Sequence, residues 1–379
     1  MAAFLNEYPK LKFDLSHRNI VSRIMEPLIL TFLIIIAFVG NGIVCAAVCK
    51  YRRLRTLPNM FVTNLAVSDI LMSLIVMPIS LKVLLSSEWP FGPVVCDFQG
   101  FFVCSFAIVS MGNMAVISVN RYFAVCRPIA NKVIFTRRNI MVIIALLWLL
   151  PSIASVPPLV GWGYYAFHPG KAICIYPFDV NMTYTTLFIL FFIGLPMGFI
   201  VFSYTKCFFA IRSSNHQIAQ MDDNRRRADQ EYRKWMEIRA TLTMMKATLG
   251  FILCFFPVSV IGFIDAFTGG GNLPRRVFTI STFVVFLSST INPFVYWLSN
   301  RDYRRAFRDL LQYLLGAQGS SKVTSSFRNK TPTQNQRKPH RRRRFVNDLK
   351  SGQAFHIETE LSYVTFLTSS RLVSSPCSQ

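Results

Sequence analysis

The sequence predicts an all-α membrane protein, a seven-transmembrane helix bundle followed by a short amphipathic inner-leaflet helix and a disordered C-terminal tail. Three observations predict it. Seven separate apolar runs are each long enough to cross a bilayer. The composition is 52% hydrophobic, with 35 Phe, and only 16% charged, against about 25% charged in an ordinary soluble domain. The net charge of +23 gathers in loops and tail rather than on the runs. The tail from Arg301 to Gln379 alone holds 15 Lys and Arg against 5 Asp and Glu. Charge distributed in this way follows membrane topology and not a basic groove, so no nucleic-acid partner is expected.

A spanning helix needs roughly 20 apolar residues to cross about 30 Å of hydrocarbon. The runs lie at Pro27 to Cys49, Asn59 to Leu81, Val95 to Tyr122, Ile140 to Val160, Tyr184 to Phe208, Thr241 to Phe267 and Val277 to Leu298. They are long and unbroken, which favours helices over the short alternating segments of a barrel. Lys and Arg flank the first, third and fifth loops, including Lys50, Arg52, Arg53 and Arg55, then Arg127, Arg137 and Arg138, then Arg225 to Arg239. Those loops are therefore expected in the cytoplasm and the N-terminus outside, in a multi-pass plasma membrane protein. No charged head, apolar run and small-residue site occur together near the start, so no cleavable signal peptide is expected.

The expected organisation is an extracellular segment (1–26), a membrane domain (27–298), an amphipathic cytoplasmic helix (299–315) and a disordered basic tail (316–379). The polar stretch from Arg212 to Arg239 is read as helical extensions of the fifth and sixth spans. In the amphipathic helix, Tyr303, Phe307, Leu310, Leu311 and Leu314 form one stripe with arginines opposite, suited to a membrane surface. The run Arg337 to Arg344 is a solvated cluster or a contact for anionic lipid. Of nine cysteines, only Cys96 and Cys174 fall at expected outer positions, which makes them a candidate disulfide. Asn181-Met182-Thr183 is an outer glycosylation sequon.

Polar groups inside the runs are costly in lipid and default to function. Asn41, Asp69, Ser110 and Asn292 are the clearest. Asp69 is expected either in an interhelical hydrogen-bond network or as a ligand of a sodium ion with Ser110, Ser289 and Asn292. No other metal and no cofactor is implied.

From about Pro27 to Leu315 the residues carry a resemblance. Gly40-Asn41 lies in the first run, Asn64-Leu65-Ala66-Val67-Ser68-Asp69 in the second, and Trp89-Pro90-Phe91-Gly92 precedes Cys96. Asn120-Arg121-Tyr122 ends the third. Trp148 lies in the fourth, Pro196 and Tyr204 in the fifth, Phe251, Cys254 and Pro257 in the sixth, and Asn292-Pro293-Phe294-Val295-Tyr296 in the seventh. In this order the set resembles the rhodopsin-like (class A) G protein-coupled receptors, nearest in character to melatonin-receptor-like and opsin-like members.

The resemblance implies a receptor rather than an enzyme, which binds an extracellular ligand and activates a heterotrimeric G protein, with arrestin and receptor kinase as further partners. Arg121 resembles the arginine that holds the resting receptor closed, and Glu237, twenty residues before Pro257, matches its partner on the sixth span. Tyr204 and Tyr296 resemble the tyrosines that turn inward on activation. Met111, Pro196, Phe251, Phe255, Pro257 and Pro293 fall where the family places its packing switch and hinges, and Pro78 is a further bend.

Departures from the family pattern are as informative. Asn120 replaces the usual aspartate, which is expected to remove a partner of Arg121 and loosen the resting state. Phe255 replaces the usual tryptophan of the sixth span. No cysteine for a palmitoyl anchor lies near the amphipathic helix. The implied ligand pocket is Val103, Cys104, Ala107, Phe188, Phe192, Phe255, Val258, Ser259, Thr282 and Phe286. It has no acid on the third span for an amine, and Phe286 stands where visual pigments carry their retinal lysine. An apolar, aromatic pocket favours a neutral or lipophilic small ligand. The alternatives are a constitutively active or light-sensing opsin-related receptor and a membrane transporter, for which internal symmetry and broken mid-membrane helices are lacking.

Overall fold

The fold follows from where each apolar run can begin and end as a helix. In the computed structural model, residues 8–178, 180–218, 225–267, 272–299 and 301–314 are described. The expected tail, including Arg337 to Arg344, lies outside them. Among the described residues seven helices are long and apolar enough to cross a membrane.

The first, Ile20–Lys50, begins seven residues before the expected Pro27. Asn19 explains this start, because its side-chain oxygen accepts from the Ser22 amide at 2.9 Å and satisfies an otherwise orphan donor. Pro27 is thus inside the helix, within its first three turns. A short leading helix, Pro9–Ser16, buries Leu11 and Leu15.

The second span is Leu57–Leu71 and Met77–Ser86, joined by a π-helical turn at Met72–Val76. The fifth repeats this arrangement, with Met182–Ile189 and Leu195–Ile218 joined by a π-turn at Leu190–Gly194. In each case a proline, Pro78 or Pro196, follows within two residues. A proline lacks the amide that closes an α-turn and its ring crowds the preceding carbonyl, and a widened turn relieves both. The third span is Pro93–Cys126. The sixth, Arg225–Phe267, and the seventh, Arg275–Ser299, stay α-helical through Pro257 and Pro293.

The fourth span, Arg137–Ala154, ends six residues before the expected Val160, because Pro157 and Pro158 turn the chain into a 3-10 segment. The carbonyls left open there are satisfied by tyrosines. Tyr184 donates to Ala154 at 2.8 Å and Tyr165 to Ser155 at 2.7 Å.

A strand pair that the all-helical expectation lacked follows. Strands β1 (Ala166–His168) and β2 (Ile173–Ile175) pair antiparallel with Phe167 opposite Cys174, across the N-terminal end of the bundle. Three contacts pin this hairpin to the third span. Cys174 is joined to Cys96 in a disulfide. Gln99 accepts from the Cys174 amide at 2.8 Å while its own amide reaches Val76 and Ser80 at 3.2 and 3.1 Å. Tyr165 lies so close to Gly100 that a Cβ there would fall 2.4 Å from its ring. Phe167, Ala172 and Ile173 then join Leu33, Met77, Phe106 and Phe286 in one buried cluster.

At the opposite end, the terminal helix Arg301–Leu314 buries Tyr303 and Ala306 against Val44, Ala47 and Leu54. Its apolar stripe is thus in part a packing face of the bundle as well as the membrane-surface stripe expected from sequence.

Replacing Gln99 by Leu leaves the Cys174 amide and Ser80 without that partner, a loss of about 1–3 kcal/mol. The melting temperature of the solubilised protein is expected to fall by several degrees, and an unchanged midpoint contradicts the pinning role.

Candidate functional site

The polar side chains of the spans meet in three layers. In the middle layer, Asn292 donates to Asp69 at 3.0 Å and Ser289 also hydrogen-bonds to Asp69. Asn41 donates to the Ser289 carbonyl at 2.8 Å, while its own side-chain oxygen is buried with no hydrogen-bond partner among the described residues. Ser110 reaches this layer through Ser68, hydroxyl to hydroxyl at 3.3 Å. A carboxylate among hydroxyl and amide oxygens, with one of them unpartnered, is a donor set that fits a hard monovalent cation. Beside it, Trp148 donates to Asn64 at 2.8 Å and Asn64 to Asn113 at 3.0 Å, tying the fourth, second and third spans.

The second layer, towards the C-terminal end, holds Arg121. Its guanidinium is 3% exposed, and it meets Glu237 at 3.3 Å, a carboxylate that is 53% exposed. Asn120, expected to be a lost partner, accepts from Arg121 at 2.6 Å. This corrects the expectation. The amide gives up the charge of an aspartate but keeps the hydrogen bond, and its nitrogen reaches Asn131 at 3.3 Å. Tyr122 turns its ring towards Phe202 of the fifth span, 5.7 Å between centroids. Tyr204 hydrogen-bonds to Thr248 of the sixth span at 3.0 Å. Tyr296 stacks on Tyr303 at 5.6 Å, and its hydroxyl is buried without a partner among the described residues.

Between these layers Met111, Met114, Leu65, Ile200 and Phe251 form a small buried cluster that Phe255 joins. Phe251 and Phe255 stack at 4.3 Å. Met111 and Phe251 are therefore in one packing unit, with Phe255 on its upper edge. Pro196, Pro257 and Pro293 are in the fifth, sixth and seventh spans as expected, and Pro293 lies against Gly40, whose absent Cβ leaves the room.

The ten expected pocket residues are spread over several packing groups of the upper bundle. Val103 and Phe286 pack in the cluster beneath the hairpin. Cys104 and Phe188 lie against Tyr165, Tyr176 and Tyr184, and Phe188 meets Phe192 at 5.8 Å. Thr282 returns its hydroxyl to the Phe278 carbonyl at 3.1 Å, and Ser259, which is exposed, returns its own to Phe255 at 2.9 Å. Ala107 and Val258 are half-buried. Hairpin side chains, invisible to a reading by helix position, share the cluster of Val103 and Phe286. A cleft lies nearer the N-terminal face, bounded by Tyr8, His168, Lys171, Tyr176, Phe178 and Asp265.

The third layer closes that face and was missed from sequence. Arg18 donates to Glu26 at 2.7 Å, Glu26 also pairs with Arg275, Arg275 donates to Thr279 at 3.1 Å, and Thr279 donates to the Gly170 carbonyl at 2.8 Å. This buried relay joins the leading segment, the first and seventh spans and the hairpin. Its one available signal was a glutamate, Glu26, immediately before an apolar run. Asn181 caps the fifth span by accepting from the Tyr184 amide at 3.0 Å.

With this geometry in place, comparison with known proteins is decisive. The sequence profile of the 7 transmembrane receptor (rhodopsin family) matches residues 40–296. The chain belongs to that family. It is thus a class A G protein-coupled receptor and a multi-pass membrane protein, of a family of receptors rather than enzymes. It is 28% identical to octopamine receptor beta-1R of Drosophila melanogaster, over 76% of this chain and 61% of the relative's length. It is 26% identical to melatonin receptor type 1A of Mus musculus, over 76% and 80%, and 29% identical to the histamine H2 receptor of Canis lupus familiaris, over 76% and 80%. Among solved structures, squid rhodopsin shares the fold with a TM-score of 0.69 at 23% identity, covering 82% of this chain and 92% of its own.

Burial pushes the His168 imidazole down to about 4, with Lys171 acting in the same direction and Asp265, 3.8 Å away, opposing. Burial also lowers the Lys171 ammonium to about 8. Because the folded receptor holds His168 neutral, its contribution is present above the ordinary pKa near 6.5 and lost as pH falls from there towards 4. The melting temperature of the solubilised receptor should drop across that window, and His168→Phe should flatten the drop. An equally steep profile in the variant refutes this assignment.

Proposed function

We propose that this receptor binds an extracellular, neutral or lipophilic small ligand and activates a heterotrimeric G protein, with arrestin and a receptor kinase acting on the activated state. The N-terminus faces outward in this reading, supported by the Lys and Arg of the first, third and fifth loops. The Asn181 sequon is then on the glycosylated side. Curated relatives include melatonin, octopamine and histamine receptors. Val103, Cys104 and Ala107 offer no carboxylate for a cationic amine, which favours ligands of the neutral, melatonin-receptor type.

The observation that carries the proposal is the contact of Arg121 with Glu237 across the third and sixth spans. Its release frees the inner half of the sixth span to swing out and expose a G-protein surface, while the Met111–Phe251–Phe255 cluster repacks. Tyr204 and Tyr296 then turn towards the space that Arg121 vacates. A sodium ion at Asp69, Ser110, Ser289 and Asn292 would supply a positive charge that holds the middle layer together in the closed state. The cost of opening is small, because the Glu237 carboxylate is half exposed and such pairs contribute about 0–1 kcal/mol. This weak tether also favours a second reading, in which the receptor signals without ligand.

In cells with matched surface expression through an N-terminal tag, Glu237→Ala should raise basal G-protein activation by about two- to fivefold, the fold-change of a lost contact of that size. Arg121→Ala should abolish it. Silence of wild type and Glu237→Ala across all G-protein classes sinks the tethered-receptor mechanism. Asp69→Asn should remove the sodium dependence of basal activity in isolated membranes, and a dependence that survives the substitution excludes the ion site.

A further inference from the structure

The cleft at the N-terminal face gathers ionisable groups that neither the proposed activation mechanism nor the expected pocket uses. His168 and Lys171 come from the hairpin, and Asp265 from the C-terminal end of the sixth span. His168 is 3% exposed. Its Nδ1 accepts from the Lys171 amide at 3.3 Å, so in the neutral ring the proton sits on Nε2. That nitrogen has no hydrogen-bond partner among the described residues. The Asp265 carboxylate is 3.8 Å away, beyond hydrogen-bond reach. A buried donor left in this way calls for a partner that enters from the cleft.

The groups are held in place before anything binds. The His168 ring meets Tyr8 and Phe278, each at 4.7 Å between centroids. Thr279 donates to the Gly170 carbonyl at 2.8 Å, and a Cβ on Gly170 would fall 2.8 Å from the Phe278 ring. The Lys171 amide closes the turn by donating also to the His168 carbonyl at 3.0 Å. Its ammonium stands 5.8 Å from the centroid of Phe278. Groups fixed in this way cost little further ordering when a ligand arrives.

The charges decide the class of ligand. Lys171, lowered to about 8 by burial, remains mostly protonated at neutral pH, and Asp265 lines the same cleft. A simple cation is repelled by the first and a simple anion by the second. A zwitterion satisfies both. Charge-assisted hydrogen bonds are about 2.7–2.9 Å long, so ligand groups that reach His168 Nε2 and the Asp265 oxygen, 3.8 Å apart, have to be close neighbours on the ligand. An ammonium and a carboxylate on one carbon meet that condition. Beside them Tyr8, Tyr176 and Phe178 offer aromatic walls for an apolar side chain.

We propose that the cleft is a binding site for a free α-amino acid with an aromatic side chain, its carboxylate on Lys171 and His168 and its ammonium on Asp265. The site is additional to the pocket of the proposed ligand. Access from outside the cell rests on the proposed orientation of the chain, whereas binding to the solubilised protein does not.

The test is equilibrium dialysis of the solubilised full-length receptor with radiolabelled L-phenylalanine. Binding should be saturable, and phenethylamine, which lacks the carboxylate, and 3-phenylpropionate, which lacks the ammonium, should each compete about tenfold or more less well than L-phenylalanine. Asp265→Asn and Lys171→Gln should each weaken L-phenylalanine binding by about tenfold or more. A misfolded variant also loses binding, so each is read for a gain as well. Asp265→Asn should bind 3-phenylpropionate more tightly than the wild type does, and Lys171→Gln should do the same for phenethylamine. No saturable binding at millimolar L-phenylalanine overturns the site. Phenethylamine or 3-phenylpropionate competing as well as L-phenylalanine overturns the zwitterion, and L-phenylalanine binding unchanged in both variants places the ligand elsewhere. Binding is read without G protein, so silence in the signalling assay overturns the proposed activation and not this site.

Discussion

A permanently charged guanidinium almost wholly removed from solvent is the constraint around which the C-terminal end of the third span is arranged. Arg121 is 3% exposed, and an arginine in that position has to be satisfied by neighbours, because it does not shed its charge. Asn120 supplies a short hydrogen bond from within the same helix, and it moves with Arg121. Glu237 supplies the only ion pair recorded for Arg121 among the described residues, and it comes from another helix. That division decides the energetics. Satisfaction of Arg121 is shared between a partner on its own helix and a half-exposed one on another, and in the proposed mechanism release of the second, a contact of about 0–1 kcal/mol, opens the bundle.

Such a release matters only if the rest of the bundle transmits it. The middle layer couples the first, second, third and seventh spans through Asn41, Asp69, Ser110, Ser289 and Asn292, and Trp148 brings in the fourth. The sixth span is bound differently. Its contacts with the third and fifth include the Met111–Phe251 packing, Thr248 with Tyr204 and Met114, and Glu237 with Arg121. Five spans therefore share a polar scaffold, and the sixth is held by apolar packing and a few exchangeable polar contacts. In the proposed mechanism, repacking of such a cluster between two discrete arrangements turns a small change near the hairpin into a helix displacement.

The helices were legible because the bilayer imposes length and apolarity on each of them, and the motif residues were legible because polar groups in lipid stand out. The disulfide of Cys96 with Cys174 was legible for a similar reason, since every other cysteine but the one in the tail sits within or beside an apolar run. What escaped depended on contacts between segments distant in sequence. The early start at Ile20 rests on an asparagine cap and an ion relay from Arg18 to Gly170. The end at Ala154 rests on two tyrosines from elsewhere in the chain. The hairpin strands are only three residues each and carry no periodic signal, yet their side chains pack with Val103 and Phe286, two residues that helix positions assigned to the pocket. Asn120 shows the limit at a single residue, because its type reveals the missing charge but not the retained 2.6 Å bond.

The most direct test of the account is the distance between spin labels at the inner ends of the third and sixth spans, measured by pulsed electron resonance in the detergent-solubilised receptor without ligand. The account predicts two populations, a dominant short distance and a minor long one, with the long one growing when Glu237 is replaced by Gln. A single short distance that this substitution leaves unchanged would contradict it, and would mean that the closed state is held by something other than the contact between Arg121 and Glu237.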